Sequence, residues 1–321
     1  MRKAVFLFGG QGSQYFNMGE ELYHSNATFR NTLLWLDAEA SRMLGTSVIT
    51  QMYNKNKKMG DVFDELRYTN PALFMVQYAM AKVLQEELRI YPSYVLGYSL
   101  GEMVAAAVAG VVHPLNMLEA LIRQAVHIDQ VCGKGGMMAV LDDPGLYGQE
   151  PEVFRNITLA AVNYHEHFIV AADDPALKRL KAYLDIRGKV YSQLPVQYAF
   201  HTQMMDPARD AFMDSFRNVG FSNPTIPFLS GVYAKQLYAT SPAYYWEVVR
   251  EPIRFNEAVK ELERKGEYFY IDCSSSGTLK NMLAKILSPA SGSVHHHIMS
   301  PFRDELRRLQ LLKQQYSLTT F

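Results

Sequence analysis

The sequence predicts an α/β fold, in which a mostly parallel sheet is covered by helices on both faces and carries a smaller inserted unit. Three observations support this fold class. Apolar runs of strand length alternate with segments of helical periodicity in the first third of the chain. A group of short strands interrupts this alternation in the middle of the chain. The alternation then resumes toward the C-terminus.

The first third of the chain begins with the apolar run Ala4–Phe8, which leads into the glycine-rich segment Gly9–Gln14. Tyr68–Leu88 is apolar at helical spacing and has Pro71 near its start, so it predicts a helix. Tyr91–Gly110 then contains a short strand, a glycine-flanked turn and a helix of small residues. Alternation of this kind is typical of a parallel sheet buried on both faces.

The middle of the chain contains short elements in the order βαββαβ, which is typical of a ferredoxin-like unit. The strands are expected at Met137–Leu141, Thr158–Val162, Phe168–Ala172 and Val190–Pro195, with the second helix at Pro175–Arg187. Strands at 226–231 and 267–273 and a helix at 278–287 return to the first pattern. The predicted division is a large domain at 1–132 and 199–290, an inserted ferredoxin-like subdomain at 133–198, and a C-terminal tail with a surface helix at 291–321.

Composition excludes several classes of protein. Among 321 residues, 32 are lysine or arginine and 32 are aspartate or glutamate, so no nucleic-acid footprint is expected. No run approaches the roughly 20 apolar residues of a membrane span, and the apolar run at the N-terminus is too short for a secretory signal. Cys132 and Cys273 lie far apart, as in reduced proteins, which predicts a cytoplasmic location.

The pentapeptide Gly97-Tyr98-Ser99-Leu100-Gly101 matches the pattern G-x-S-x-G. In that pattern a serine occupies a sharp strand-to-helix turn, and flanking glycines let neighbouring backbone pass without a Cβ clash. The turn directs the first N–H groups of the following helix at an oxyanion formed on the serine. Alone, the pentapeptide fits a serine in an ordinary tight turn equally well. Between a predicted strand and a predicted helix, the pentapeptide indicates a nucleophile. It therefore predicts that the large domain is α/β-hydrolase-like.

A nucleophilic serine needs a base, because its hydroxyl is weakly reactive at its free pKa. Of nine histidines, His201 directly follows the last strand of the inserted unit and is the candidate. His165 and His167 are expected to face solvent, and His295–His297 to form a solvated loop. Gly9–Gln14 has neither the lysine nor the spacing of a phosphate loop. It is therefore either a plain turn or the source of a second oxyanion N–H beside that of Leu100.

Three segments in order, GGQGSQ, GYSLGE and YAFH, resemble the malonyl-CoA:acyl carrier protein transacylases and polyketide-synthase acyltransferases, over roughly 3–287. The resemblance implies that Ser99 forms an acyl-enzyme and that His201 acts as base and then as acid. It also implies that the backbone N–H groups of Gln11 and Leu100 form the oxyanion hole. The substrate would be an acyl thioester on an acyl carrier protein, whose phosphopantetheine arrives with it. No metal or other cofactor is implied.

The chain departs from this family at three site positions. Tyr98 replaces the usual histidine before the nucleophile, and Val248 replaces an amide residue whose carbonyl orients the catalytic histidine. Gln124, twenty-five residues after Ser99, replaces the arginine that pairs with a malonyl carboxylate. A glutamine offers no charge and no bidentate guanidinium. Tyr98, Gln124 and Asn163 are the expected substrate-binding residues.

These departures resemble the discrete acyl hydrolases of trans-acyltransferase polyketide synthases, which keep the Ser–His dyad and often carry glutamine at this position. That resemblance implies removal of acyl groups stalled on carrier proteins. One alternative is a malonyl-CoA:acyl carrier protein acyltransferase in which Arg123 reaches the pocket through a shift of one residue. Since one residue rotates a helix position by about 100°, Arg123 is expected to face elsewhere. Another alternative is a catalytically inactive subunit that only binds carrier proteins.

Overall fold

The computed structural model describes residues 2–318. The strands are β1 Lys3–Phe8, β2 Pro92–Gly97, β3 Gly136–Leu141, β4 Thr158–Tyr164, β5 His167–Ala172, β6 Val190–Gln193, β7 Phe228–Leu229, β8 Gln236–Leu237, β9 Tyr268–Asp272 and β10 Val294–His297. The helices are α1 Glu20–Ser25, α2 Ala27–Leu44, α3 Val48–Met52, α4 Leu66–Glu86, α5 Gly101–Val108, α6 Pro114–Val131, α7 Leu146–Gln149, α8 Asp174–Ile186, α9 Arg209–Asp214, α10 Pro242–Arg250, α11 Phe255–Glu263, α12 Thr278–Ile286 and α13 Glu305–Leu318, with a 3₁₀ turn at Gln203–Ala208.

The larger sheet has six strands in the order β10-β9-β1-β2-β7-β8. Every neighbouring pair is parallel except the short β7–β8 pair at the edge. β9 is buried along its whole length, and β1 is buried from Ala4 onward, because helices cover both faces of the sheet. This arrangement confirms the α/β class with a mostly parallel sheet. Among residues 2–318, no helix has the length and apolar character needed to cross a membrane.

The smaller sheet has four antiparallel strands in the order β4-β5-β3-β6. Numbered within this unit, the order is 2-3-1-4, which is the order of a split βαβ, ferredoxin-like sheet. The first crossover contains the short helix α7. The second crossover contains the longer helix α8, whose N-terminus is capped by Asp173, which accepts a hydrogen bond from Ala176 N at 2.9 Å. The predicted boundaries at 133 and 198 stay predictions.

The C-terminal segment differs from the predicted tail. Val294–His297 forms β10, which pairs in parallel with β9 and makes one edge of the larger sheet. His295–His297 therefore do not form the solvated loop expected from the sequence. His296 is buried, its Nδ1 lies 3.0 Å from Gln315 Oε1, and its Nε2 donates to the Arg308 carbonyl at 3.0 Å. These contacts fix α13 against the sheet, and residues 319–321 of the predicted tail lie outside the described residues.

Helix α6 follows the nucleophile helix and shows the helical periodicity that places Gln124. It begins at Pro114, whose missing N–H costs nothing in a first turn. Its buried positions recur every three or four residues, which puts them on one face against the core. They are Met117, Leu118, Ala120, Leu121, Ile122, Gln124, Ala125 and Ile128.

The two sheets meet beside the carboxyl end of β2. The Ile253 N–H donates to the Ala160 carbonyl at 2.8 Å, which ties β4 of the smaller sheet to the segment after α10. The carboxyl ends of parallel strands are where α/β sheets bind ligands. The candidate residues Ser99 and His201 lie in the cleft at this junction.

Candidate active site

Ser99 lies on a strained turn between β2 and α5. Its φ is 54°, in the left-handed region that non-glycine residues rarely adopt. A Cβ at Gly97 would come within 2.1 Å of Glu102 N, and one at Gly101 within 2.0 Å of Phe8 O. Glycine is therefore required on both sides of the serine. The turn holds the hydroxyl at the carboxyl end of the strand, as the G-x-S-x-G pattern predicts.

The structure brings Ser99 and His201 together across 102 positions of sequence. Ser99 Oγ lies 2.9 Å from His201 Nε2, and His201 Nδ1 lies 2.7 Å from the Glu251 carbonyl oxygen. Because a carbonyl only accepts hydrogen bonds, Nδ1 carries the proton, and Nε2 presents its lone pair to the serine. His201 also has a left-handed backbone, with a φ of 63°. The pair has the geometry of a nucleophile and its base.

Burial lowers the pKa of His201 to about 4, although its hydrogen bond to Glu251 acts in the opposite direction. The histidine side chain is therefore neutral at pH 7. A neutral imidazole can take the serine proton, whereas an imidazolium cannot.

The carbonyl that orients His201 belongs to Glu251, and the predicted role of Val248 is corrected accordingly. Helix α10 ends at Arg250, and Glu251 is extended, with φ −91° and ψ 157°. A residue that precedes proline is biased away from helical backbone, and Pro252 follows. The Glu251 carbonyl thus leaves the helix direction and points at the histidine. Val248 is a buried core residue of α10.

Gln11 and Leu100 lie beside Ser99 and line a common cavity with it. Among residues 2–318, neither backbone N–H has a hydrogen-bond acceptor. The Gln11 side chain is anchored to α4, since its Nε2 donates to Thr69 Oγ1 at 2.9 Å and also to Asn70 Oδ1. Two free N–H groups beside a nucleophile have the character of an oxyanion hole. Their roles in catalysis stay predictions.

Gln124 lies in the wall of this cavity, whereas Arg123 does not. Gln124 is 2% exposed, and its Nε2 donates to Ser215 Oγ at 3.0 Å. Arg123 is on the exposed side of α6 and pairs with Glu119 at 2.5 Å. The cavity has a volume of about 30 Å³, and no lysine or arginine among residues 2–318 lines it. Its apolar walls include Met103, Leu121, Ile128, Phe200, Phe212 and Val249.

Tyr98 and Asn163 connect the nucleophile turn to the smaller sheet. The Tyr98 hydroxyl donates to Asn163 Oδ1 at 3.1 Å, and Asn163 Nδ2 donates to His167 Nδ1, 2.9 Å away. Beside them lies a larger cavity of about 160 Å³, between the glycine-rich loop, the smaller sheet and α12. His167 lines this cavity and is not the solvent-facing residue expected from the sequence, whereas His165 is exposed.

Comparison with known proteins identifies the family. The sequence profile described as acyl transferase domain matches residues 5–319. The chain belongs to the acyl transferase domain family. The polyketide biosynthesis acyltransferase homolog PksD of Bacillus subtilis (strain 168) is 38% identical over 309 residues, which cover 96% of this chain and 95% of that protein. The homolog BaeD of Bacillus velezensis is 37% identical over the same share of each chain.

Solved structures share the acyl transferase fold. The acyltransferase domain from the second module of the salinomycin polyketide synthase superposes with a TM-score of 0.85 at 26% identity, covering 98% of this chain and 73% of that one. The structure of MCAT from Streptococcus pneumoniae gives a TM-score of 0.79 at 24% identity, covering 98% of this chain and all of that one. The fold and the family expected from the three sequence motifs are both confirmed.

This acyl transferase domain also contains a buried carboxylate that the sequence reading missed. Glu102 follows the nucleophile turn; its Oε2 accepts from the Tyr244 hydroxyl at 2.9 Å, and its Oε1 accepts from the Gly231 N–H. Burial raises the pKa of Glu102 to about 8. The sequence signal that could have indicated this buried carboxylate is a single acidic residue in α5, a helix otherwise made of small and apolar residues. Among residues 2–318, no group of three or more histidine, cysteine, aspartate or glutamate residues is arranged to hold a metal ion.

Proposed function

We propose that this acyl transferase domain is an acyl-carrier-protein hydrolase that removes uncharged acyl groups from phosphopantetheine thioesters. One observation carries the proposal. The cavity beside Ser99 and His201 is lined by Gln124 and, within the described part of the chain, by no lysine or arginine, while Arg123 faces solvent. The similarity to the polyketide biosynthesis acyltransferase homologs PksD and BaeD supports a polyketide pathway as the setting. The proposed role in that pathway is to clear stalled acyl groups from carrier proteins.

In the acylation step, Ser99 Oγ attacks the thioester carbonyl carbon while its proton passes to His201 Nε2. The carbonyl oxygen becomes an oxyanion, which accepts hydrogen bonds from the backbone N–H groups of Gln11 and Leu100. When the tetrahedral intermediate collapses, the C–S bond breaks, and the leaving thiolate takes the proton back from His201. The products are an ester on Ser99 and a free phosphopantetheine thiol.

In the deacylation step, water attacks the ester carbonyl and gives a proton to His201 Nε2. Collapse of the second intermediate breaks the C–O bond to Ser99, which recovers the proton. The free acid leaves, and the dyad returns to its starting state. His201 is neutral at the start of each half-reaction, as its lowered pKa requires.

Selectivity for uncharged acyl groups follows from the electrostatics of the cavity. A malonyl carboxylate placed there would lose its water and gain no opposite charge. An unpaired buried charge costs about 2–5 kcal/mol, which corresponds to roughly thirty- to several-thousandfold in rate. An acetyl or longer alkyl group carries no such penalty. The phosphopantetheine belongs to the carrier-protein substrate, and the proposed reaction takes place in the cytoplasm.

The deciding experiment uses one carrier protein loaded separately with acetyl and malonyl groups. Each form is mixed with the purified enzyme, and its intact mass is followed over time. The proposal predicts rapid loss of acetyl and retention of malonyl. Ser99→Ala and His201→Ala should each abolish the loss of acetyl, and hydrolysis that persists in Ser99→Ala would rule out the covalent route.

A second arm offers malonyl-CoA and unloaded carrier protein to the same enzyme. If malonyl moves onto the carrier protein while both loaded thioesters persist, the chain is a transferase and the proposal fails. A fluorophosphonate label tests for a catalytically inactive binding subunit. The active enzyme should be labelled on Ser99, and the Ser99→Ala variant is the control that should not react.

A further inference from the structure

The orientation of the Gln124 amide is determined by its hydrogen bonds. Ser215 Oγ donates to the Phe212 carbonyl at 2.6 Å, which uses the only proton of that hydroxyl. Toward Gln124, 3.0 Å away, the Ser215 oxygen can then only accept. The Gln124 group that faces Ser215 must therefore be the donor, Nε2, and the carbonyl oxygen Oε1 must point the other way.

The Oε1 atom of Gln124 is available to a ligand. It has no hydrogen-bond partner among residues 2–318, and it is not among the fully buried polar atoms that lack one. Since the residue is otherwise buried and lines the cavity beside Ser99, the cavity is where this oxygen keeps its accessible face. Gln124 therefore presents a hydrogen-bond acceptor to the bound acyl group.

An acceptor at this position distinguishes three kinds of acyl group. A carboxylate is also acceptor-only, so it meets the carbonyl oxygen with repulsion in addition to the missing counter-charge. An alkyl group leaves the oxygen without a partner. An acyl group with a hydroxyl at its end supplies the missing donor. The cavity volume of about 30 Å³ holds only one or two water-sized groups, so the chain must be short.

Resting on the proposed acyl-enzyme chemistry, we infer that Ser215 is a specificity-determining residue. By holding the Gln124 amide, Ser215 turns Oε1 into the acyl cavity, and the site selects short hydroxyacyl groups over carboxylated ones of the same length. Ser215 acts through Gln124 and does not itself line the cavity wall. It is a positioning residue, one turn beyond Phe212 at the end of α9.

The test uses three pantetheine thioesters of matched size: 3-hydroxypropionyl, butyryl and malonyl. The first two differ only by a terminal hydroxyl in place of a methyl. For each, kcat/KM is measured by thiol release, and the rate of acyl-enzyme formation on Ser99 is measured by intact mass. The informative quantity is the ratio of 3-hydroxypropionyl to butyryl, because a general loss of activity cancels from it.

Ser215→Ala should lower this ratio about two- to tenfold, the range for one hydrogen bond. It should also raise malonyl acylation relative to butyryl, because the released amide can turn its NH₂ group inward. Gln124→Leu should lower the hydroxyl ratio similarly but leave malonyl excluded. Ser215→Thr keeps the hydroxyl and should retain the wild-type ratio, and thermal melting checks that each variant is folded.

An unchanged ratio in both Ser215→Ala and Gln124→Leu would overturn the inference, even with efficient hydrolysis. If thiol release requires an added thiol acceptor, hydrolysis is refuted, but the acyl-enzyme ratios still test the role of Ser215. If wild-type enzyme forms no acyl-enzyme with any of the three thioesters, the proposed function fails, and the inference fails with it.

Discussion

Gln124→Arg places a cation in the cavity beside Ser99, which has no lysine or arginine in its wall as far as the structure describes the chain. The side chain is buried on the inner face of α6, so an arginine there must lie against the acyl group. The guanidinium would give a malonyl carboxylate the bidentate partner it lacks in the wild type. We therefore expect Gln124→Arg to gain malonyl loading and to lose its preference for acetyl.

The magnitude follows from two opposing effects. Pairing the carboxylate removes a penalty of about 2–5 kcal/mol. Arginine is larger than glutamine, and the cavity of about 30 Å³ has little room, so overpacking of about 1–3 kcal/mol is expected. Overpacking affects acetyl and malonyl alike and cancels from their ratio. The ratio of malonyl to acetyl acylation should therefore rise at least about thirtyfold.

The assay measures the acyl-enzyme on Ser99 by intact mass after short exposure to acetyl-CoA or malonyl-CoA. Arg123→Gln is the matched control, because Arg123 is exposed and, among residues 2–318, pairs only with Glu119. It should leave both rates unchanged. A folded Gln124→Arg enzyme with an unaltered ratio would refute the reasoning. So would malonyl loading by the wild type that disappears in Arg123→Gln, since that result would place the cation in the pocket.

Three further predictions concern the dyad and its supports. Burial lowers the pKa of His201 to about 4, so kcat/KM should stay constant as the pH falls to about 5. A fall in kcat/KM with its midpoint near pH 6.5, the ordinary pKa of histidine, would contradict this. Glu102→Ala leaves the buried Gly231 N–H without its acceptor, whereas the Tyr244 hydroxyl keeps Ser230 Oγ, so the free energy of unfolding in urea should fall by about 1–3 kcal/mol. The isosteric Glu102→Gln should cost clearly less, and equal losses would exclude this role. Gly101→Ala puts a methyl 2.0 Å from a carbonyl oxygen of β1 and should destabilise by at least about 2 kcal/mol, whereas Gly60→Ala, in open space, should leave the melting temperature unchanged.

The nucleophile turn and the α/β class were predictable because their signals are local. The glycines that flank Ser99 are demanded by backbone contacts of 2.0–2.1 Å, and no other residue type satisfies them. His201 was predictable by position, since the chain returns to the larger sheet where the inserted unit ends. Its partner was not, because any main-chain carbonyl can accept a hydrogen bond and the side chain at Val248 carries no information about it. The sequence signal for this carbonyl is Pro252, because a proline biases the residue before it, here Glu251, away from helical backbone.

The C-terminal strand was missed for a different reason. Val294–His297 is four residues long and mostly histidine, so it lacks the β-branched alternation by which strands are predicted. It becomes a strand because the edge of β9 has unpaired backbone groups that a parallel neighbour can satisfy. Burial of His296 against α13 then favours this placement over a solvated loop. A sequence segment of four residues does not indicate tertiary contacts of this kind.

In the proposed reaction, choice of the acyl group and choice of the acceptor are made by different parts of the site. Gln124 lies on one side of Ser99, in the small cavity, whereas Tyr98 lies toward the larger cavity beside the smaller sheet. Water and a thiol would both be activated by the same His201 Nε2. A change at Gln124 should therefore alter which acyl group is loaded onto Ser99, but not whether water or a thiol removes that acyl group. Acetyl-enzyme lifetimes measured with and without free pantetheine should therefore have the same ratio in wild type and Gln124→Arg. A ratio that shifts with Gln124 would mean that the two choices are coupled through Ser99.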